Sequence, residues 1–404
     1  MPDRQGLDGA RIVLGVSGGI AAYKAAELAS TLVQAGAHVD VVMTAGAREF
    51  IQPLTFEGIT HHRVHTSVFG GWDDGGTGHV DLAAGADLLL IAPATANTIA
   101  RLAHGLVDDM LTAVALATAA PIVLAPAMEH HMWRHPATAA NVETLNSRGA
   151  AFVGPDEGRL ASGATGQGRL APTRDIMAAA RLALGRGGPL AGKSVVVTAG
   201  GTLEAIDPVR FIGNRSSGQM GVALAEAAID AGADVRLVAT RSVSEALLPR
   251  DAIVVESALD LQRAVAAQVT TADVLIMAAA VADFRPATAA GQKVKKQPGQ
   301  DSWTLDLLKN PDILANIGRP GLVKVGFAAE TERILEYARQ KLDAKGLDLI
   351  VANDAVATIG SRRSAATLIP RVGDPVTLPE LDKLAVARRI IDAVVRLLPE
   401  RVDA

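Results

Sequence analysis

A short apolar run, a turn rich in glycine or hydroxyls, and then an alanine-rich helical stretch recur along most of this chain. That alternation limits the fold more than any other feature. Apolar runs too short for helices must be strands, and helices between them force parallel crossovers. In the first half the runs fall at 11–16, 38–43, 87–92 and 121–125, with helices expected from near Ile20, Gly46, Asn97 and His135. Residues 176–184 read as a further helix. Gly185-Arg186-Gly187-Gly188-Pro189 then breaks the pattern and reads as a linker. Strand runs resume at 194–199, 235–239, 253–256 and 274–279, with helices from about Gly221 and over 259–269. Later strands are expected at 323–327, 347–352 and 366–369, and a final helix from Leu381. The expected fold class is α/β with two domains: a flavodoxin- or Rossmann-like one over 1–184 and a Rossmann-like one over 190–404, joined by 185–189.

Composition agrees with layers of this kind. At roughly 150 residues per domain, 404 residues suit two or three domains. Hydrophobic residues make up 49% and aromatics only 3%, which favours alanine-rich helices on aliphatic strands over an aromatic-rich sandwich. The chain has no cysteine, so disulfides, thiolate metal sites and a cysteine nucleophile are excluded. A net charge of −4 offers no global attraction to nucleic acid or to an anionic membrane. The uncharged stretch 111–128 approaches the length of a membrane span, but Pro121 and Pro126 divide it, and it reads as a buried helix followed by a core strand. With a polar N-terminus lacking a signal pattern, the expectation is a cytoplasmic protein.

In the first domain, Val16-Ser17-Gly18-Gly19-Ile20 takes a strand through a glycine turn into a helix. Backbone N–H groups at such a start suit a phosphate, and Ser17 can add a hydroxyl. The turn is not GxGxxG, and the second strand ends on Thr44 rather than an acid. Both facts favour a mononucleotide such as FMN over a dinucleotide. An empty glycine turn is the plain alternative. Pro93-Ala94-Thr95-Ala96-Asn97-Thr98 follows a buried strand, where Thr95 and Asn97 either meet a ligand or cap the next helix. His79 precedes a helical segment, and a lone histidine there is usually structural. His130 and His131 lie in a post-strand loop, without a second ligand cluster at useful spacing for zinc.

These motifs, with Pro126-Ala127-Met128 and Gly163-Ala164-Thr165-Gly166-Gln167-Gly168-Arg169, occur in one order that resembles the flavin-dependent phosphopantothenoylcysteine decarboxylases. The resemblance implies FMN against Ser17, Gly18, Gly19, Thr44, Pro93, Thr95, Asn97 and Met128. It implies substrate against Glu129, His130 and Arg169. In that family the cysteine part of the substrate is oxidised by FMN to a thioaldehyde, an electron sink from which CO2 leaves, and the enethiol is then reduced. His79 matches the family's catalytic histidine. Two positions depart from the family. Glu129 stands where asparagine often grips the substrate carboxylate, so that His130 is the next candidate for the grip. Ser162 stands where a flap cysteine often helps reduce the enethiol, and a hydroxyl is a far weaker acid than a thiol.

The second domain carries its densest signal from Thr198 to Gly221, a glycine- and hydroxyl-rich run between a strand and a helix that suits a triphosphate. Ala278 and Ala279 end another buried strand and lead to Asp283, a candidate for ribose or a divalent ion. Lys293, Lys295 and Lys296 follow without an adjacent acid. Pro311-Asp312-Ile313-Leu314, Phe327, and Lys341 with Lys345 at helical spacing complete the set. Together they resemble the phosphopantothenate–cysteine ligases. The resemblance implies attack of the 4′-phosphopantothenate carboxylate on the α-phosphate of CTP. Pyrophosphate leaves an acyl-cytidylate, from which the cysteine amine displaces CMP. Lys293 matches the lysine assisting the first step and Asn214 the residue needed for the second. Ala278, Ala279, Asp283, 311–314, Phe327, Lys341 and Lys345 match the nucleotide site, with Mg2+ on the triphosphate and Asp283 as its candidate ligand.

The two domains resemble the bacterial fused enzymes of coenzyme A biosynthesis, in which the second domain's product is the first domain's substrate. That resemblance implies a homo-oligomer, a dodecamer built from flavin-domain trimers and ligase-domain dimers. A different flavoenzyme of the same fold leaves the second half unexplained. A ligase with a degenerate or regulatory flavin-binding domain is the remaining alternative, favoured by Glu129 and Ser162 and opposed by His79.

Overall fold

The computed structural model describes residues 6–69, 78–295, 301–330, 333–354, 361 and 363–399. The chain divides into two compact units, Met1–Arg186 and Gly187–Ala404.

In the first unit β1 (Arg11–Val16) leads through a short 3-10 turn, Ile20–Tyr23, into α1 (Lys24–Gln34). Next come β2 (His38–Met43), α2 (Ala45–Arg48), α3 (Pro53–Thr60) and α4 (Gly78–Gly85). β3 (Leu88–Ala94), α5 (Ala96–His104), α6 (Met110–Ala117) and β4 (Ile122–Pro126) follow. α7 (His130–Arg134), α8 (Pro136–Ser147), β5 (Ala151–Phe152), a hairpin of β6 (Asp156–Arg159) and β7 (Thr165–Arg169), and α9 (Thr173–Gly185) end the unit. Among the described residues a parallel sheet has the order β2-β1-β3-β4-β5. Every residue of β3 is buried, as expected of a strand covered on both faces. Neighbouring residues of β1 show the two faces directly. Ile12, Leu14 and Val16 join one core cluster, while Val13 joins the other. The uncharged stretch resolves into α6, buried from Met110 to Ala115, and then β4. No described helix is long and apolar enough to cross a membrane.

The second unit opens with β8 (Ser194–Ala199), a small hairpin of β9 (Leu203–Ala205) and β10 (Phe211–Gly213), α10 (Gln219–Asp230) and β11 (Asp234–Thr240). β12 (Ile253–Val255), α11 (Ala258–Gln268), β13 (Val274–Met277), β14 (Phe284–Pro286), β15 (Leu307–Lys309) and α12 (Ile313–Asn316) come next. It closes with β16 (Val323–Glu330), α13 (Ile334–Ala344), β17 (Leu349–Asp354), β18 (Arg363–Pro370), β19 (Val376–Asp382) and α14 (Lys383–Leu397). The main sheet has the order β12-β11-β8-β13-β16-β17-β18-β19. It is parallel as far as β17 and antiparallel beyond. Val195 and Val197 face one core cluster and Val196 the other.

Three details differ from the sequence expectation. The run from Thr198 to Gly221 contains the β9–β10 hairpin rather than a plain loop. Leu381 lies in β19, and the last helix starts two residues later because the Asp382 carboxylate accepts from Ala385 N–H as its cap. Lys345 caps α13 instead of continuing it.

Candidate active sites

In the first unit the carboxyl ends of β1, β2, β3 and β4 meet at a cavity of about 930 Å³, the position where open α/β sheets bind ligands. Gly18 and Gly19 form part of its wall. A Cβ on Gly18 would lie 2.5 Å from the Gly46 carbonyl carbon, so two backbones approach there more closely than any side chain permits. Thr44 and Thr95 line the cavity and also cap helices: Thr44 Oγ1 accepts from Ala47 N–H and Thr95 Oγ1 from Thr98 N–H. Thr95 thus caps α5 and also stands on the cavity wall. Ser17 is turned inward. Its hydroxyl donates to Pro93 O at 2.7 Å and accepts from Thr95 N–H at 3.0 Å, tying the end of β1 to the end of β3.

Asn97 and Met128 also line the cavity, and Met128 N–H donates to Gly168 O, which holds β7 beside the loop after β4. The β6–β7 hairpin brings Ser162 and Arg169 to the same wall. Sequence reasoning missed Lys24, Arg101 and Arg159, cations that also line it. Their signal was weak, because a basic residue within a helix or hairpin has no local mark of the cavity it faces. His79 is half-buried on α4 and is not among the residues that line the cavity of this chain.

Glu129 lines the cavity, and its carboxylate caps α7 by accepting from His131 N–H at 2.7 Å. One oxygen lies against His130 Nδ1 and the other is 3.3 Å from His131 Nδ1. Burial alone raises the pKa of such a group. The His131 N–H and the two imidazoles outweigh it and hold the carboxyl below its ordinary range. Glu129 therefore brings a carboxylate charge to the cavity wall.

In the second unit, hydrogen bonds stitch the loops after β8 and β13 together. Thr198 Oγ1 accepts from Ala279 N–H, Thr202 Oγ1 from Ala282 N–H, and Ala280 N–H donates to Gly200 O. Gly200 has φ +91, and a Cβ there would lie 2.1 Å from Thr240 Oγ1; only glycine fits. Asn214 Nδ2 donates to Val281 O at 3.1 Å, so Asn214 joins the Ala278–Ala279 strand end. Asn310 Nδ2 donates to Ala282 O and its N–H to Asp283 O, which places 311–314 beside the same loop. Asp283 is exposed and belongs to no group of three or more ligating side chains among the described residues.

Asp312 caps α12 and pairs with Lys345 at 3.0 Å. Burial raises its pKa, but the Lys345 ammonium and backbone donors leave it net lowered. Beneath this pair, Lys324 Nζ donates to the carbonyls of Leu314, Ile317 and Lys345, binding the ends of α12 and α13 together. Lys341 lies on α13. Phe327 packs against the core rather than standing clear of it. Lys293 and Lys295 are exposed on an extended segment, and Lys296 lies outside the described residues. Val294 between them is held by its backbone: its N–H donates to Asp207 Oδ2 and its carbonyl accepts from Arg210.

A glycine turn and cavity at the carboxyl edge of one parallel sheet, and stitched loops at the same edge of another, define a two-domain α/β protein of the flavin- and nucleotide-binding class. Residues 2–183 match the family model described as Flavoprotein, and residues 190–398 that of the DNA/pantothenate metabolism flavoprotein C-terminal domain. The chain is 45% identical over 399 residues to the coenzyme A biosynthesis bifunctional protein CoaBC of Bacillus subtilis, covering 97% of this chain and 98% of that one. Against its counterpart in Vibrio cholerae the identity is 45% over 412 residues, covering 98% and 100%. A crystal structure of the C-terminal domain of a CoaBC protein aligns at 37% identity and TM-score 0.43, over 52% of this chain and 97% of that domain. The chain belongs to the family of coenzyme A biosynthesis bifunctional proteins. It is a bifunctional enzyme with a flavoprotein decarboxylase unit followed by a ligase unit.

Proposed function

We propose that the second unit joins cysteine to 4′-phosphopantothenate at the expense of CTP, and that the first unit decarboxylates the product, 4′-phosphopantothenoylcysteine, to 4′-phosphopantetheine. The observation that carries this reading is that the glycine turn, Thr44, Thr95, Asn97, Met128 and Arg169 line one cavity in the first unit, and that hydrogen bonds link the loops after β8 and β13 with Asn214 and Asn310 in the second.

FMN fits the first cavity. The volume is within the range for a cofactor with part of a substrate, and Gly18, Gly19 and Gly46 present bare backbone on its wall. Gly18, Gly19, Thr44, Thr95, Asn97 and Met128 are the residues that hold it. When bound it supplies the two-electron oxidation and return that make loss of CO2 easy. Ser17 positions Pro93 and Thr95 from behind. Arg169 and the His130 side of the loop meet the substrate's anionic ends, the hairpin bearing Ser162 excludes water, and His79 serves as acid and base.

In the second unit the phosphopantothenate carboxylate displaces pyrophosphate from CTP, and the cysteine amine then displaces CMP from the acyl-cytidylate. Lys293 offsets charge growing on the phosphates during the first step. Asn214, fixed at Val281 O, faces the second step. Asp283 and Mg2+ hold the triphosphate, with Lys341 and Lys345 beside it, and Lys345 exchanges Asp312 for phosphate. By the same reading the chain assembles through flavin-domain trimers and ligase-domain dimers into a dodecamer.

The test is a coupled assay on the purified chain. CTP-dependent pyrophosphate release must require both phosphopantothenate and cysteine. CO2 release from 4′-phosphopantothenoylcysteine must require FMN. Lys293→Gln should lower pyrophosphate release by roughly 100-fold or more, the scale of losing one preorganised charge stabiliser, with CO2 release from supplied substrate unchanged. Full ligation by that variant would refute the assignment of Lys293. Absence of CO2 release from the FMN-loaded protein would instead favour a degenerate flavin domain.

A further inference from the structure

Glu129, His130 and His131 stand consecutively at the start of α7. Their ligating atoms, one carboxylate oxygen and two imidazole nitrogens, all lie within 4.8 Å of one another. The two rings are close, with centroids 3.7 Å apart. His131 Nδ1 is 3.3 Å from a Glu129 oxygen, a normal edge for two ligands sharing one ion with bonds near 2.0–2.2 Å.

The half-buried histidine of the trio carries the argument. His130 Nδ1 is sealed from solvent and lies against Glu129 Oε1 without the geometry of a hydrogen bond. A buried polar nitrogen ordinarily has a partner. Its ring is hemmed in from behind, since a Cβ on Gly166 of β7 would lie 3.0 Å from His130 Cβ and 3.1 Å from its Cγ. The β7 backbone at Gly166 therefore leaves no room for a side chain beside this ring. Hydrogen bonding explains one carboxylate oxygen, which takes the His131 N–H. The other oxygen and the nitrogen facing it are paired only with each other.

We propose that Glu129, His130 and His131 form a binding site for one late first-row divalent cation of the Zn2+ or Co2+ kind. Two imidazoles and one carboxylate suit such ions, whereas Mg2+ prefers an all-oxygen shell. Three consecutive ligands occupy one side of the ion and leave the remaining positions open. Glu129 belongs to the cavity wall, so the ion sits at that wall.

Binding reverses the local charge. With neutral imidazoles the trio carries −1, and with a divalent ion it carries +1. A wall that repels a carboxylate then attracts one, and the open positions accept a carboxylate or thiolate. This use of the site rests on the decarboxylase reading; the binding of the ion does not.

The full-length, FMN-loaded protein, freed of metal with a chelator, is dialysed against Zn2+ in excess Mg2+, which saturates oxygen sites. The expected result is one Zn2+ per chain. Affinity should fall by about 100-fold or more in Glu129→Gln and in His131→Ala, since losing even a group that supports a metal ligand costs up to that much. His131 is 83% exposed, so its removal leaves packing intact, and unchanged flavin absorbance verifies the fold. No stoichiometric Zn2+, or equal affinity in both variants, overturns the proposal. Because the readout needs no turnover, failure here leaves the decarboxylase reading standing, and failed CO2 release leaves the metal site standing.

Discussion

Asp207 has no accessible side-chain surface, yet its carboxylate takes the backbone N–H groups of Val209, Arg210 and Val294 along with the Arg210 guanidinium. Arg210 in turn holds Val294 O and lies 4.7 Å over the Trp303 ring. This clamp fixes the backbone between Lys293 and Lys295. An amide at 207 would turn its own N–H groups toward donors. Asp207→Asn should therefore lower ligation by roughly 10- to 100-fold, the scale of misplacing a catalytic group by about an ångström, with flavin content unchanged. The Arg210 hydrogen bond outweighs desolvation and holds the Asp207 pKa far below the ordinary carboxylate value. A depressed acid contributes fully above its unfolded pKa, about 3.9, and loses that contribution as pH falls through the folded value. The stability gap between parent and Asp207→Asn, followed by urea unfolding, should stay level from neutral pH to about 5 and narrow only below about 3.9. A gap that closes near neutrality would exclude the clamp as its source. None of this was visible in the sequence, where Asp207 and Val294 are far apart. The Ser17 and Thr95 hydroxyls were visible as candidates, but the inward turn of Ser17 depended on Pro93 from another strand.

The elements themselves were largely legible. β1 and β8 occupy the expected residues because strands buried on both faces are nearly continuous apolar runs, a local property, and β2 also does, although it is an edge strand carrying Asp40. The β9–β10 and β6–β7 hairpins were not legible: their residues are short, glycine-rich or charged, and only pairing makes them strands. Helix α6 illustrates packing that propensity cannot supply. Asp109 and Thr112 form a capping box at its start, and Met110 to Ala115 are all buried. Leu111 fills the space that Gly15 leaves open on β1, where a Cβ would come within 2.4 Å of it. Leu111→Ala should destabilise the first unit by about 2–5 kcal/mol, as large-to-small core changes do. Release of bound flavin on heating should come at lower temperature, with ligation at room temperature unaffected. An unshifted release temperature would mean that α6 does not support the flavin-binding sheet.

At the scale of the molecule, each unit buries its own pair of core clusters, so each is a folding unit with its own chemistry. Leu54, Phe69 and Leu116 are large apolar side chains left exposed on the first unit. The proposed dodecamer predicts a light-scattering mass about twelve times the 41.7 kDa of one chain, independent of added CTP. A monomer at micromolar concentration would rule the assembly out. The alternation of apolar runs and helices, the glycine turns and the order of the motifs belong to the sequence alone, because each follows from neighbours along the chain. The tertiary structure alone decided which hydroxyls face the cavity, which carboxylate fixes the lysine segment, and how Glu129 meets two histidines against the β6–β7 hairpin. Those are contacts between residues far apart in the chain or between side chains pressed together by packing, and no local pattern encodes them.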